Sequence, residues 1–190
     1  MTLLFLALFF GCFFSIIISW IFTNKLGFLA QRPSDYTKQG TVFDIRERLI
    51  GHMICEGVIY GPFGRVNTRF VAHMHANWDG DKGHMTESFL YDNGDTLDRE
   101  WDLIFKDNGE FFEAKAPDII GIGIGQQSGS GVRLCYNIKL PVSAGGYVLN
   151  TTDWMYLMEN GTIINRSQFR KFGFKVGELV ANMRLSLIHI

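Results

Sequence analysis

The sequence predicts an all-β fold, an antiparallel up-and-down barrel of about eight to ten strands, preceded by one N-terminal transmembrane helix. About ten short β-like runs follow one another after residue 40. Loops such as GPFG, DNGD and ENG, which are typical of tight hairpins, separate these runs. The chain has 21 glycines but only 4 prolines, and 14% of its residues are aromatic, a balance that favours strands and turns. A long meander must close on itself or protect its edges, which favours the barrel.

The first element is the apolar run LLFLALFFGCFFSIIISWIF, from Leu3 to Phe22. It carries no charge and has roughly the ~20 residues that a helix needs to cross a bilayer. The start MT lacks lysine and arginine, and no A-x-A cleavage site follows. An uncleaved anchor over residues 1–24 is therefore favoured over a cleaved signal peptide, and the membrane is a predicted partner. Cys12 follows FFG, a poor lipid-attachment box, which favours an apolar thiol inside the helix.

Residues 25–40 mix turn formers with polar residues and show no sustained period, which predicts a linker. The barrel domain is then expected over residues 41–190. Lys25, Arg32 and Lys38 follow the span, and by the positive-inside rule they weakly favour a cytoplasmic domain.

Alternating apolar residues predict which face of each strand lies in the core. Between residues 69 and 78 the even positions are apolar, whereas the odd ones include His73 and His75. In DREWDLIFKD one predicted face carries Trp101, Leu103 and Phe105 together with Arg99. A charge on an apolar face needs a partner, so we expect a carboxylate beside Arg99 inside the barrel.

The stretch GIGIGQQSGSG, residues 121 to 131, resembles a nucleotide-binding loop at first sight. A dinucleotide loop requires G-x-G-x-x-G between a strand and a helix, whereas VRLCYNIKL resumes a strand here. Gly121, Gly123 and Gly125 instead share one strand face, which predicts sharp coiling or close approach of a neighbour or ligand. If the glycines point inward, this bare face is a candidate contact for bound lipid.

Six motifs occur in a recognisable order: WDGD (78–81), ESFLYDNGD (87–95), REW (99–101), APDIIGIGIG (116–125), DWMY (153–156) and INRSQFRKFGFKVGE (164–178). This succession, between residues 43 and 185, resembles an uncharacterised bacterial family of small envelope proteins and predicted lipoproteins, a domain of unknown function. The resemblance implies a lipocalin-like (calycin-type) barrel and genes often placed near cyclopropane fatty-acid synthase. It implies no activity. Its envelope placement outweighs three scattered cations and favours a single-pass inner-membrane protein with a periplasmic domain.

Charged and aromatic residues of these motifs form the candidate ligand-binding site. Glu87 shares a strand face with Phe89 and Tyr91, so it leans toward the aromatic side as Arg99 does. The candidate residues are Glu87, Phe89, Tyr91, Arg99, Trp101, Gly121, Gly123, Gly125, Trp154 and Arg166. Asp118 and Asp153 can join them in an interior network of ion pairs. No nucleophile lies beside a base in the sequence, so structural pairs and ligand contacts are favoured over catalysis.

The remaining ligand classes are less well supported. A net charge of -1 gives no basic face for nucleic acid. His52, His73, His75 and His84 lie close together in the sequence, but no cysteine or carboxylate spacing completes a metal or haem site. No cofactor is expected. Cys55 and Cys135 can form a disulfide in an oxidising compartment, although small buried thiols are favoured.

Three functions remain open. The favoured one is a membrane-anchored barrel that binds or presents an acyl chain, a lipid or another apolar small molecule in envelope lipid metabolism. The second is a non-catalytic accessory subunit that packs its helix and one surface against a larger membrane complex. The third is a cavity enzyme, an isomerase or hydrolase that uses the interior charges.

Overall fold

The computed structural model describes residues 2–106 and 109–186, and within them all side chains except those of residues 2–4, 23, 24 and 143. The described residues form two α-helices, α1 (Thr2–Ile21) and α2 (Ile45–Arg48), and ten strands. The strands are β1 (Gly51–Tyr60), β2 (Val66–Asp79), β3 (Lys82–Tyr91), β4 (Thr96–Lys106), β5 (Phe111–Lys115), β6 (Gly123–Ser128), β7 (Gly131–Lys139), β8 (Val148–Leu157), β9 (Ile163–Lys171) and β10 (Phe174–Leu185).

Each strand pairs antiparallel with its neighbours in sequence, and β1 pairs with β10 to close the barrel. The closing ladder runs from Met53 opposite Leu185 to Tyr60 opposite Glu178. The prediction of an all-β, antiparallel, up-and-down barrel is confirmed, with ten strands at the upper end of the expected range. Closure leaves no unpaired edge, which is what a long meander of aromatic strands requires.

The alternation predicted from the sequence defines the barrel interior. Along β2, Phe70, Ala72, Met74 and Ala76 are buried, whereas His73 between them is exposed. Along β4, Trp101, Leu103 and Phe105 are buried, whereas Glu100, Asp102 and Lys106 between and beside them are exposed. Strand side chains alternate between two faces, so one face of each strand fills the interior and the other meets water or the N-terminal segment.

The segment just before β1 closes one end of the barrel, which we call the base. Phe43, Ile45 and Leu49 are fully buried there. Asp44 caps α2 by accepting a hydrogen bond from the backbone N–H of Arg46. The indole of Trp78 donates to the backbone carbonyl of Leu49 at 2.7 Å, so the base is fixed by both apolar burial and hydrogen bonds.

Residues 28–36, within the predicted linker, pack against the outer surface of the barrel. Tyr36 contacts the ring of Trp154, with ring centroids 5.2 Å apart. The hydroxyl of Tyr156 donates to Oε1 of Gln31 at 2.7 Å, and the backbone N–H of Ser130 donates to the carbonyl of Tyr36. This part of the linker is therefore a structural component of the domain, although its polar composition resembles a spacer.

The first twenty residues after Met1 form α1, which continues into a π-helical turn over Phe22–Leu26. Over the part of the chain whose side chains are described, no helix is both long and apolar enough to cross a membrane. The transmembrane prediction for Leu3 to Phe22 is therefore not supported.

Candidate ligand-binding cavity

A cavity of about 1330 Å³ lies inside the barrel. Its floor is formed by Ile45 and Leu49 of the base segment. At the opposite end it is lined by residues of four strand connections, those of β1–β2, β3–β4, β5–β6 and β7–β8. The cavity therefore opens at the end of the barrel away from α2, and we call this end the mouth.

Aromatic rings form the wall of the cavity near the mouth. The ring centroids of Phe70 and Phe89 lie 5.3 Å apart, and Phe89 stacks on Tyr91 at 6.1 Å. Deeper walls are lined by methionine and aliphatic side chains, among them Met74, Met85, Leu103, Leu134 and Met183. The predicted residues Phe89 and Tyr91 thus lie together in the cavity, as the alternation along β3 indicated.

Arg99 carries a positive charge into this apolar wall and is held there by three neighbours. Its Nε donates to Oδ1 of Asp118 at 3.1 Å, in a salt bridge whose shorter contact, to Oδ2, is 3.0 Å. Its guanidinium carbon lies 4.1 Å from the centroid of the Trp101 ring and 5.7 Å from that of Tyr136. The predicted interior carboxylate beside Arg99 is Asp118.

Glu87 is buried directly across the β3–β4 ladder from Arg99. Its Oε2 accepts a hydrogen bond of 3.2 Å from the indole N–H of Trp101. Burial raises the pKa of the Glu87 carboxyl, and the positive charge of Arg99 and the Trp101 hydrogen bond only partly offset this effect. The cavity wall therefore favours the neutral form of this acid.

Asp153 of β8 brings a second buried carboxyl to the same cluster. Burial raises its pKa, against the opposing effects of Ser167, Tyr136 and the charge of Arg99. Burial likewise raises the pKa of the Tyr136 hydroxyl well above its usual value, so this phenol remains protonated. Three strands, β7, β8 and β9, thus place polar side chains opposite Arg99 at the middle of the barrel.

Two polar atoms of this cluster have no hydrogen-bond partner among the described residues. They are Nη2 of Arg99 and Oδ1 of Asp153, and both are buried. Buried polar groups in folded proteins are nearly always satisfied, and an exception requires an explanation such as a bound molecule. An unpaired guanidinium N–H and an unpaired carboxyl oxygen in one cavity are suited to a polar headgroup.

Sequence reasoning missed Tyr136 and Ser167 as site residues. Tyr136 shares one strand face with Leu134 and Ile138 in VRLCYNIKL, and all three line the cavity. The two-residue period of the strand therefore indicates that Tyr136 faces the interior. Ser167 lies beside Asn165 on the inner face of β9. Because both residues are polar, the alternation of apolar and polar residues does not identify this face as interior.

The three predicted glycines do not form a bare wall for lipid. Gly123 and Gly125 face the interior, but the ring of Phe112 covers Gly125 so closely that an added Cβ would lie 2.0 Å from Cζ. A Cβ on Gly123 would lie 3.2 Å from Cβ of Tyr136. Gly121 is exposed, precedes β6 and has a φ of 79°, so it belongs to a turn. Gly123 and Gly125 serve close packing of neighbouring side chains, and none of the three glycines lines the cavity.

Trp154 and Arg166 also lie away from the cavity. They face each other across the β8–β9 ladder on the outer surface of the barrel. Trp154 is 1% exposed because Tyr36 covers it. Nε of Arg166 bonds Oε1 of Glu178 at 2.6 Å, and its guanidinium lies over Phe28. Both residues hold the N-terminal segment on the barrel. The alternation of residues along a strand cannot show that its outer face is covered.

The histidines and cysteines give no metal or disulfide site among the described residues. His73 and His84 are exposed on the outer surface, and Nδ1 of His84 contacts Asp102 at 2.9 Å. Cys55 faces the cavity, whereas Cys135 lies on the other face of its strand, beside Thr152, and both thiols are free.

Comparison with known proteins supports the fold. The chain is similar to Rv2717c from M. tuberculosis, with 14% identity and a TM-score of 0.54 over 77% of this chain and 99% of that one. It is also similar to the S-type phycobiliprotein lyase CPES from Guillardia theta, with 8% identity and a TM-score of 0.56 over 83% of this chain and 99% of the lyase. At such identities the likeness concerns the fold alone, which is consistent with the lipocalin-like barrel. No curated protein matches the chain significantly.

The family resemblance that the six ordered motifs indicated is confirmed. A family model described as a protein of unknown function, DUF3833, matches residues 23–185, which include the packed N-terminal segment and all ten strands. The chain belongs to the DUF3833 family.

Proposed function

We propose that the barrel binds an amphipathic small molecule, an acyl chain whose polar head accepts hydrogen bonds, and presents it at a membrane. The observation that carries this proposal is the unpaired, buried Nη2 of Arg99 in the wall of a cavity of about 1330 Å³. Ligand pockets typically have volumes of about 300–1,000 Å³, so this cavity has room for a ligand with a long chain.

The walls support an apolar chain as the larger part of the ligand. Aromatic and aliphatic side chains dominate on both sides of the polar cluster, and the floor is apolar as well. Burial of apolar surface contributes roughly 25 cal/mol per Å², so a chain that fills the cavity would be bound mainly by this term.

The polar cluster supports a head that accepts hydrogen bonds. Nη2 of Arg99 is a donor, and the raised pKa of Asp153 favours a neutral carboxyl that can donate as well. A fatty carboxylate, or the ester carbonyl of an acyl lipid, would accept from both. A guanidinium–carboxylate contact is also among the stronger hydrogen bonds in proteins.

The cluster favours binding over catalysis, and we infer a non-enzymatic role. Each histidine that the structure describes lies outside the cavity lining. The hydroxyl of Ser167 donates to Oδ1 of Asn165, an amide oxygen that cannot act as a general base.

The apolar helix α1 supports attachment to a membrane. Its described side chains, from Phe5 to Ile21, are exposed although nearly all are apolar. Bulky exposed residues such as Phe9, Phe13 and Trp20 are unfavourable in water and favourable in lipid. We propose that α1 anchors the chain in the bacterial inner membrane and that the barrel lies on the periplasmic side.

The ligand proposal is tested with the full chain purified from its native membranes in mild detergent. We expect mass spectrometry of the denatured protein to release an acyl lipid in a near-stoichiometric amount. We also expect delipidated protein to bind a fluorescent fatty acid with saturation. Protein that releases no lipid and binds no fatty acid would exclude an acyl-chain ligand.

A further inference from the structure

Three neighbouring hairpins form one half of the mouth. They are the connections β1–β2 (residues 60–66), β7–β8 (139–148) and β9–β10 (170–175). These hairpins are adjacent because the barrel order places β1 beside β10 and β9 beside β8. Lys171 links two of them, since its Nζ lies 3.5 Å from the ring centroid of Tyr147. We call this continuous surface the mouth rim.

The tips of the mouth rim carry large apolar side chains in full contact with solvent. Phe63 is 94% exposed, Val142 90%, Phe172 88% and Phe174 77%. Single exposed apolar residues are common on protein surfaces, but a cluster at the opening of an apolar cavity indicates an interaction site. The base has no comparable group at its β8–β9 turn, where Met158 is 48% exposed.

Phe172 is placed there against the preference of the backbone. Phe172 and Gly173 form the two-residue loop between the paired residues Lys171 and Phe174, with φ angles of 51° and 83°. Positive φ at both positions defines a type I′ turn, in which asparagine is strongly preferred at the first central position. A bulky side chain with positive φ is an outlier. Neither local conformation nor burial accounts for this phenylalanine, which points to a contact outside the chain.

The charged residues of the mouth rim are all basic. Residues 60–66, 139–148 and 170–175 contain no acidic residue, and their cations are Arg65, Lys139, Arg170, Lys171 and Lys175. Lys175 pairs with Glu178 at 2.7 Å and Arg170 donates to Gly173 and Gln168, so the excess positive charge comes mainly from Arg65, Lys139 and Lys171. The other half of the mouth differs, because its β3–β4 turn carries Asp92 and Asp95. Exposed aromatic side chains between cations match the interface of a bilayer with anionic headgroups, where the cations are attracted to the negative surface potential.

We propose that the mouth rim docks onto the surface of an anionic lipid bilayer, with Phe63, Phe172 and Phe174 inserted among the acyl chains and the cations at the headgroups. The cavity would then open toward the lipid from which an amphipathic ligand comes. This inference rests on the proposed attachment to a membrane, but it does not depend on ligand binding in the cavity.

The test measures the depth of a spin label in the full chain bound to vesicles. Cys12→Ser, Cys55→Ala and Cys135→Ser remove the three thiols, so that only the introduced cysteine is labelled. The reporter is Val142→Cys at the mouth rim and the control is Glu159→Cys at the base. Vesicles contain phosphatidylglycerol with phosphatidylcholine, or phosphatidylcholine alone.

We expect the label at position 142 to be shielded from an aqueous nickel chelate and accessible to oxygen in the anionic vesicles, and the label at 159 to remain open. Phe172→Asn should abolish the shielding while the melting temperature stays equal or rises, since asparagine suits the turn. Equal access of nickel to both labels would overturn the proposal. So would equal shielding in vesicles of phosphatidylcholine alone, because the cations of the mouth rim would then contribute nothing to the docking.

The same samples separate this inference from ligand binding. Shielding at position 142 without any fatty-acid uptake would overturn the proposed ligand and leave the docking intact. Fatty-acid uptake in detergent with no shielding on vesicles would overturn the docking and leave the proposed ligand intact.

Discussion

Arg99 and Asp118 form a salt bridge that leaves one nitrogen of the guanidinium, Nη2, unpaired. Nε of Arg99 contacts Oδ2 of Asp118 at 3.0 Å, whereas Nη2 has no partner among the described residues. Asp118 precedes β6, so the guanidinium is fixed from a strand connection in the wall of the cavity. A donor held in place before binding loses little conformational entropy when a ligand arrives.

Arg99→Met should weaken fatty-acid binding. Methionine retains most of the apolar contact with Trp101 but removes the charged donor. Hydrogen bonds to charged groups contribute about 1.5–3 kcal/mol, so we expect affinity to fall by roughly 10- to 100-fold. Titration of the delipidated full chain with a fluorescent fatty acid measures this change.

The matched control for Arg99 is Arg69→Met. Arg69 lies on the outer face of β2 near the same mouth and pairs with Asp92 at 3.4 Å. Its loss should leave the affinity within twofold of the wild type, since exposed pairs contribute little. Equal affinities of Arg99→Met and Arg69→Met would return Arg99 to a structural role.

Glu87→Gln should change how stability depends on pH. Burial raises the pKa of Glu87 above its ordinary value of about 4.3, so the folded state binds the proton more tightly than the unfolded state. The stability from this group is complete below about pH 4.3 and is lost as the pH rises through the raised pKa. The free energy of unfolding of the wild type, relative to Glu87→Gln, should therefore increase as the pH falls from 7.5 to 5.

Urea unfolding at four pH values between 5 and 7.5 checks this difference. Glu100→Gln provides the matched control, because it makes the same substitution at an exposed position on β4. A flat difference for Glu87→Gln would mean that Glu87 is ionised in the fold.

The sequence predicted the barrel because strand period and turn chemistry are local properties. Phe89, Arg99 and Trp101 were assigned to one interior surface from alternation alone, and the structure brings them together with Glu87. The sequence also predicts that a carboxylate lies beside Arg99, because a buried charge requires a partner. Asp118 is one of the candidate carboxylates, and the structure shows that it is the partner.

The errors have a common physical origin in contacts between distant parts of the chain. Period 2 shows which residues share a face but not what covers that face. Phe112 fills the space beside Gly125, and Tyr36 covers Trp154 on the outside, so both predicted contacts with ligand were replaced by contacts within the chain. Phe112 lies on the neighbouring strand β5 and Tyr36 lies in the N-terminal segment, so neither contact leaves a signal in the local sequence.

Trp154→Ala should destabilise the protein without changing fatty-acid binding. Trp154 is 1% exposed between Tyr36 and Tyr156 on the outer surface, and truncation of a buried tryptophan costs about 3–5 kcal/mol. Chemical denaturation measures the loss, and titration at a temperature where the variant is folded measures the affinity. Trp101→Phe is the contrasting variant. It removes the indole N–H that donates a hydrogen bond to Glu87 inside the cavity, so it should alter the affinity.

Gly125→Ala should test how closely the barrel is packed beneath the cavity. The added methyl group would lie 2.0 Å from Cζ of Phe112, so the ring must move, and overpacking of this kind costs about 1–3 kcal/mol. Gly123→Ala is the matched control, since its nearest neighbours lie at 3.2 Å and beyond and require a smaller shift.

The companion substitution Phe112→Leu decides whether the clash is the cause. It removes the ring atoms that the new methyl group would meet, so Gly125→Ala should cost less in the Phe112→Leu background than in the wild type. A double-mutant cycle from urea unfolding gives the coupling, which we expect to be favourable by about 1 kcal/mol or more. Additive effects would show that Gly125 is needed for its backbone alone. They would also reopen the inner face of β6 as a surface that a ligand could approach.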